Sequence, residues 1–380
     1  MLRPRNQITH LELKSSERLV YLDNLRSAAM LLGVFVHTAT LENFGSAEIV
    51  SWLSDLFRMA TFFLISGYLT AMLLSRRTAS QYYRMRILTI LVPLTSGIIL
   101  LNPVTLWLIL HYHNAELARV YRFSEMASLL FQIPTGVTGP FIWHLHLWFL
   151  FSLLFFTIFA PLAARIINSS FMKSAFAKLI CGIPDIFIPT VIAIVTAGAV
   201  LILRIAYELI ISPVVDYWLI LITLEYLPFF LVGMVFYSCQ KIWEKIHRID
   251  LPLLVMSISL YYFVICLPDV TRDEQIGEAL YLMAQGLVRC AISFFLLTVF
   301  RALMNWSTSL TIAVTDSIYT IYLFHFLCIY LVAVTLIDTS FASISSFFAV
   351  AVTTFLITFA LHYFLVRRLR VLRFLFNGRW

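Results

Sequence analysis

The sequence predicts an all-α fold, a polytopic membrane helix bundle. Its 380 residues are 61% hydrophobic and only 12% charged, with a mean hydropathy of +0.91, whereas a soluble domain carries about 25% charged residues. The hydrophobic residues recur in runs of about twenty, which is long enough to cross a hydrocarbon core about 30 Å thick. These observations exclude a soluble enzyme, a secreted disulfide scaffold and a disordered chain.

About ten transmembrane helices are predicted from these runs. Arg76 and Arg77 end the second run, and residues 114–140 form the longest predicted loop. The N-terminal residues are polar and lack the pattern of a signal peptide. The predicted spans are 21–41, 50–74, 87–112, 141–166, 185–207, 216–238, 250–268, 276–303, 309–337 and 341–366.

Lys and Arg residues are distributed unevenly between alternate loops. The loops on the side of both termini hold 20 of the 27, and the opposite loops hold four. Because positively charged loops stay in the cytoplasm, both termini are predicted to be cytoplasmic. The chain then divides into a cytoplasmic segment 1–20, a transmembrane domain 21–366 and a basic cytoplasmic tail 367–380. We expect the tail to contact anionic lipid headgroups rather than a specific partner. The overall basic balance is interpreted as a topology signal before a nucleic-acid signal.

No metal or cofactor site is evident in the sequence. The five cysteines are scattered without C-x-x-C spacing, which argues against a disulfide framework and a zinc site. No phosphate-binding loop or G-x-S-x-G motif occurs in a suitable context. Any chemistry must therefore depend on His, Arg and hydroxyl groups, which leaves acid–base-assisted group transfer or transport.

The first predicted helix carries three polar residues that need an explanation, because a charge near the bilayer centre costs about 2.5–3.5 kcal/mol. Asp23 and Arg26 lie near its cytoplasmic end, close enough to pair with each other. His37 lies fourteen residues beyond Asp23, about 21 Å along the helix and about 40° from the same face. The two ends are thus predicted to mark opposite ends of one channel wall.

Further polar residues occur in three other predicted helices. Arg58 is predicted at a depth similar to that of His37. His144 and His146 are two residues apart, so they point about 200° apart and cannot both face one site. His325 lies deep in the ninth helix. For Arg58, structural pairing and ligand binding both remain open. At least one of His144 and His146 is expected at the membrane interface, beside tryptophans, and His325 is either a packing residue or a site residue.

Three more charged residues lie within or near the predicted spans. Glu225 and Arg289 are deep in the sixth and eighth helices, and we predict that they form a mutual ion pair. Arg204, at the outer end of the fifth helix, is predicted either to extend to the interface or to contact a polar ligand.

Several motifs resemble those of the acyltransferase-3 family of integral membrane acyltransferases, in the same order along nearly the whole chain. They are Tyr21-Leu22-Asp23-Asn24-Leu25-Arg26 followed by His37, Phe57-Arg58-Met59, Phe62-Phe63-Leu64-Ile65-Ser66-Gly67-Tyr68, His146-Leu147-Trp148-Phe149-Leu150, Tyr226-Leu227-Pro228-Phe229-Phe230-Leu231-Val232-Gly233 and Ile321-Tyr322-Leu323-Phe324-His325. The C-terminal Leu372-Arg373-Phe374-Leu375-Phe376-Asn377-Gly378 is similar to the tail of a branch that is implicated in adding succinyl groups to periplasmic glucans.

The resemblance implies a transmembrane O-acyltransferase of the bacterial inner membrane. It would move an acyl group, succinyl in that branch, from cytoplasmic acyl-CoA to hydroxyls of a periplasmic glucan, with no cofactor besides this co-substrate. His37 would be the catalytic histidine and Arg58 a catalytic-site residue, while Asp23 and Arg26 would bind the donor. His146, Trp148 and His325 would line the acceptor side of the pocket. We add Arg204 to this side because it lies at the outer end of the fifth predicted helix.

Two alternatives remain open at this stage. One is an O-acetyltransferase that acts on lipopolysaccharide or another surface polysaccharide. The other is a transporter or exporter of sugar-containing substrates, in which buried His and Arg residues relay protons or bind the substrate.

Overall fold

The structure is a computed structural model that describes residues 19–41, 47–113, 116, 119, 144–214, 217–266, 274–335 and 344–379. The chain is 90% helical and contains no strand in this part, which confirms the predicted all-α class. The N-terminal segment before residue 19 and nearly all of the predicted loop 114–140 lie outside the described residues.

The described residues form fourteen helices, numbered in chain order. The first seven are α1 (Val20–Thr38), α2 (Ala47–Asp55), α3 (Arg58–Arg76), α4 (Ala79–His113), α5 (Leu145–Ile167), α6 (Ser170–Gly182) and α7 (Asp185–Ile211). The others are α8 (Trp218–Ser238), α9 (Gln240–Ile246), α10 (Leu251–Cys266), α11 (Glu274–Leu303), α12 (Ser309–Thr335), α13 (Ile344–Val366) and α14 (Arg370–Asn377).

In the described ranges, eight helical spans are long and apolar enough to cross a membrane, or nine if α9 and α10, which are bent by 72°, form one span. The α1 helix is not among them, because Asp23, Asn24 and Arg26 lower its hydropathy. Large apolar side chains such as Val195 and Met256 are 65% and 71% exposed, as expected for surfaces that face lipid. The chain is therefore a multi-pass membrane protein.

The α3 and α8 helices pack with their backbones in close contact. A Cβ atom added at Gly67 would lie 1.9 Å from the Phe230 carbonyl oxygen, and one added at Gly233 would lie 1.9 Å from the Leu64 carbonyl oxygen. Small residues allow the two backbones to approach closely. Because lipid is as apolar as the side chains, burying apolar surface adds little between membrane helices, and close van der Waals packing drives their association instead. The contact fixes α3 against α8.

The predicted second span, 50–74, is confirmed as part of one span of membrane length, Ile49–Arg76, which contains a local turn. Residues Leu56 and Phe57 form a turn between α2 and α3, and Arg58 is the first residue of α3. The turn leaves the Asp55 carbonyl without its helical partner, and Arg289 Nε donates a hydrogen bond to it at 3.3 Å. Hydropathy along residues 50–74 does not detect this turn, because the group that stabilises it, Arg289, belongs to α11 and is distant in the sequence.

The α1 helix lies at the centre of the bundle, in contact with α3, α11, α12 and α13. The Asn24 amide donates hydrogen bonds to the carbonyl oxygens of Met304 and Trp306, at 2.7 and 3.0 Å. These bonds hold the end of α1 that carries Asp23 and Arg26 against the connection between α11 and α12.

We expect Gly67→Ala to lower the stability of the protein, because the added Cβ would overlap the Phe230 carbonyl oxygen of α8. This oxygen belongs to the backbone and cannot move aside as the end of a flexible side chain could. Overpacking of this kind costs about 1–3 kcal/mol, which would appear as a lower thermal unfolding midpoint in detergent. The control is Gly198→Ala in α7, where no heavy atom lies within 4 Å of the added Cβ. Equal midpoints for the two variants would contradict the close packing.

Candidate active site

Three histidines from three helices meet at one place in the bundle. The ring centroid of His37 lies 5.1 Å from that of His325 and 6.3 Å from that of His146, and the latter two are 5.0 Å apart. The ring of Phe326 packs against His37 and His146 at 5.1 and 5.2 Å. The structure thus brings together three of the histidines predicted from the sequence.

One backbone carbonyl determines which ring nitrogens carry protons. The Tyr322 carbonyl oxygen accepts hydrogen bonds from His146 Nε2 at 3.1 Å and from His325 Nδ1 at 2.7 Å. Since a carbonyl only accepts, both of these nitrogens donate. In the neutral rings, His146 Nδ1 and His325 Nε2 therefore bear the lone pairs. Both are buried and have no hydrogen-bond partner among the described residues.

A local backbone distortion places His146 at the start of α5. Leu145 has a φ of 46°, in the left-handed region that residues other than glycine rarely adopt. On one side of it the ring of His144 stacks on Trp218 at 6.0 Å, while on the other His146 joins the cluster. The sequence-based expectation that His144 and His146 face different surroundings is confirmed.

Arg58 lies next to the same end of α1. A Cβ atom added at Gly33, one turn before His37, would lie 2.7 Å from Arg58 Nη1. The Nε atom of Arg58 is buried without a hydrogen-bond partner among the described residues. Because Arg58 begins α3, the break after α2 lets its guanidinium group reach α1 near His37.

Trp148 lies in an aromatic layer that adjoins the histidine cluster. Its ring is 5.9 Å from Tyr226 and 6.3 Å from Phe63, and Tyr226 stacks on Phe63 at 5.0 Å. The guanidinium carbon of Arg289 lies 5.2 Å from the centre of the Tyr226 ring. Trp148 thus packs against rings, and its predicted contact with an acceptor remains a prediction.

A separate cavity of about 920 Å³ lies beside the other end of α1. Asp23 and Arg26, the predicted donor residues, both line it. The other charged residues of its wall, none of which the sequence analysis assigned to a site, are Arg86, Asp316, Arg367 and Arg379.

Tyr322 separates this cavity from the histidine cluster. It lines the cavity, as do Phe62 and Phe149, and its ring centroid is 5.6 Å from that of His146. Its hydroxyl donates a hydrogen bond to the His146 carbonyl oxygen at 3.0 Å. Neither Arg58 nor any of the three histidines lines the cavity, so the predicted channel ends at Tyr322 in this conformation.

Arg204 and Glu225 belong to an ionic cluster. Arg204 lies 2.6 Å from Glu208, 2.8 Å from Glu278 and 3.5 Å from Glu225, all measured between nitrogen and carboxylate oxygen. The predicted Glu225–Arg289 ion pair is therefore wrong, because Arg204 contacts Glu225 while Arg289 contacts Tyr226 and the Asp55 carbonyl. Arg204 does not line the cavity, and its predicted role on the acceptor side remains a prediction.

Sequence reasoning missed Tyr322 and Gly33 as parts of the site. Tyr322 precedes His325 by three residues, and Gly33 precedes His37 by four. Helical spacing of three or four places each pair on one face, which is a signal that was present in the sequence. The cavity residues of α4, α12 and the C-terminal segment had no such signal, because they come from distant parts of the chain.

Comparison with known proteins yields a family and several relatives. A family model described as an acyltransferase domain, acyltransferase 3, matches residues 19–363. The chain is similar to proteins named glucans biosynthesis protein C from Escherichia coli strains O6:K15:H31, SMS-3-5 and K12. Each is 25% identical over 237 residues, covering 57% of this chain and 58% of the relative. The match thus spans less than two thirds of these relatives. No solved structure matches.

We expect Arg204→Ala to destabilise the protein, because Glu225 is buried and would lose its ion-pair partner. The cost should be about 1–3 kcal/mol, below the value for a fully buried pair because Arg204 is partly exposed. Thermal unfolding in detergent measures it, and adding Glu225→Gln should restore part of the loss. An unchanged midpoint for Arg204→Ala would contradict a structural role.

Proposed function

Because the chain belongs to the acyltransferase-3 family, we propose that it is a transmembrane O-acyltransferase of the bacterial inner membrane. In this proposal the donor is a cytoplasmic acyl-CoA, preferably succinyl-CoA, and the acceptor is a hydroxyl group of a periplasmic glucan. The name of the relatives supports glucan metabolism for the acceptor, at 25% identity.

The observation that carries the proposal is the presence of two different polar sites at the two ends of α1. One is an arginine-lined cavity that contains Asp23 and Arg26, and the other is the cluster of His37, His146 and His325. Donor and acceptor on opposite sides of a bilayer require such a separation. The predicted cytoplasmic position of both termini supports a cavity on the donor side.

Acyl transfer can be written with groups of the cluster. His37 takes the proton of the acceptor hydroxyl, whose oxygen forms a bond to the thioester carbonyl carbon. The carbonyl oxygen becomes an oxyanion that the Arg58 guanidinium stabilises. The carbon–sulfur bond then breaks, the ester is released, and the CoA sulfur takes the proton from His37. The lone pair on His325 Nε2, beside His37, provides a second proton acceptor.

Tyr322 marks where the acyl arm must pass. Its side chain closes the cavity toward the cluster, while its carbonyl orients two of the three imidazoles. A thioester whose nucleotide part occupies the cavity would have to displace the Tyr322 ring to bring its carbonyl carbon near His37. The proposal therefore requires a rotation of this side chain when the donor binds.

We expect His37→Ala to reduce the rate of acyl transfer about 10²- to 10⁴-fold, the usual contribution of a general base. The reaction is followed as CoA thiol release by the purified protein supplied with succinyl-CoA and glucan. His111→Gln in α4 is the matched control, because among the described residues its imidazole bonds to the nearby Trp107 carbonyl and lies outside the cluster. Full activity in His37→Ala would remove His37 from the mechanism.

The identity of the transferred group is tested by mass analysis of envelope glycans from cells with and without the protein. We expect periplasmic glucans to lose succinyl esters in its absence. A loss of acetyl esters from another polysaccharide would instead support the acetyltransferase alternative. Substrate uptake that is independent of acyl-CoA would support a transporter and overturn the proposed function.

A further inference from the structure

The cavity wall combines positive charges from three distant parts of the chain. Arg26 comes from α1, Arg86 from α4, and Arg367 and Arg379 from the C-terminal segment. Against these four arginines stand the carboxylates of Asp23 and Asp316, so the formal charge of the wall is about +2. A volume of about 920 Å³ accommodates a large ligand, and the charge favours an anionic one.

The C-terminal segment is packed against the bundle on one side. Phe376 of α14 is buried, and its ring lies 4.8 Å from that of Phe324 in α12. Gly378 adopts a left-handed conformation with a φ of 63°, and a Cβ atom added to it would lie 1.8 Å from the Leu88 carbonyl oxygen. Only glycine allows this backbone contact with α4. The turn places the next residue, Arg379, at the cavity.

A polar network connects the segment to α12 and α13. His362 Nε2 lies 3.3 Å from an Asp316 carboxylate oxygen, and His362 Nδ1 lies 2.8 Å from the Thr320 hydroxyl. Thr320 in turn donates a hydrogen bond to Asn377 Oδ1 at 3.4 Å. Asp316 and Asn377 both line the cavity. The network therefore holds the end of α14 in position at the cavity wall.

Two of the cavity arginines have neutral groups as neighbours. Arg86 Nη2 donates a hydrogen bond to the Thr70 hydroxyl at 2.6 Å, and the guanidinium carbon of Arg367 lies 5.2 Å from the centre of the Tyr363 ring. Neutral partners orient a guanidinium group without cancelling its charge. Its planar donors match the oxygens of a phosphate group, with which they form paired hydrogen bonds.

We propose that the C-terminal segment 367–379 forms part of the donor site, in which Arg367 and Arg379 bind phosphate groups of the nucleotide part of an acyl thioester together with Arg26 and Arg86. This rests on the proposed function. It changes the expected role of the basic tail, because two of its arginines bind the donor instead of membrane lipid. The exposed face of α14, which carries Val371 and Arg370, remains available to lipid.

The test measures the binding of CoA, 3′-dephospho-CoA and pantetheine to the full-length protein in nanodiscs of zwitterionic lipid. We expect Arg379→Gln and Arg367→Gln each to weaken CoA binding about 10-fold, the value of one charge-assisted hydrogen bond. Pantetheine, which lacks the nucleotide, should bind both variants and the unmodified protein equally. Arg370→Gln is the matched control, since it removes the same charge from the same segment but does not line the cavity.

The outcomes separate this inference from the proposed function. If the unmodified protein does not bind CoA, the proposed donor is wrong and the inference fails with it. If it binds CoA but Arg379→Gln and Arg367→Gln behave like Arg370→Gln, only the inference is overturned. A third arm adds phosphatidylglycerol to the nanodiscs. Lipid enrichment that depends on Arg379, with CoA affinity unchanged, would assign the phosphate to lipid and also overturn the inference.

A second variant protects the test from a folding defect. If Arg379→Gln does not yield monodisperse protein, Arg379→Lys keeps the charge but loses the planar pair of donors. We expect Arg379→Lys to bind CoA more weakly than the unmodified protein by about 3- to 10-fold. Unchanged CoA affinity in this variant, together with unchanged affinity in Arg367→Gln, would overturn the proposal.

Discussion

The close backbone contact between α3 and α8 is the constraint on which the rest of the site depends. Gly67 and Gly233 each meet a carbonyl oxygen of the opposite helix, so the two helices have little freedom to slide or separate. This contact sets the position of α3, which begins with Arg58, and of α8, which carries Tyr226 and Glu225. A polar site inside a membrane needs such a rigid frame, because lipid offers no solvent to correct a misplaced charge.

Two arginines of the described helices, Arg289 and Arg204, contact groups of other helices. Arg289 contacts the Tyr226 ring and the carbonyl exposed by the break before α3, while Arg204 contacts three glutamates. Arg58 differs, because its Nε atom lacks a hydrogen-bond partner among the described residues. A buried guanidinium nitrogen without a hydrogen-bond partner is costly for stability inside a membrane, so Arg58 is a residue whose position packing alone does not explain.

Tyr322 connects and divides the two polar regions of the protein. Its carbonyl orients His146 and His325, while its side chain closes the arginine-lined cavity. One residue thus contacts both polar regions, the histidine cluster through its carbonyl and the cavity through its side chain.

The sequence by itself determined the all-α membrane class and most helix positions. It also identified the polar residues whose presence inside a membrane span needs an explanation, because hydropathy and charge within a span are local properties. It also indicated His37, Arg58, His146 and His325, and the structure brings these four to one end of the bundle. Only the tertiary structure decided that Glu225 pairs with Arg204 instead of Arg289, that the second span contains a turn before Arg58, and that the basic tail reaches the cavity of Asp23 and Arg26. These features depend on contacts between residues far apart in the chain, and neither periodicity nor composition encodes which helices become neighbours.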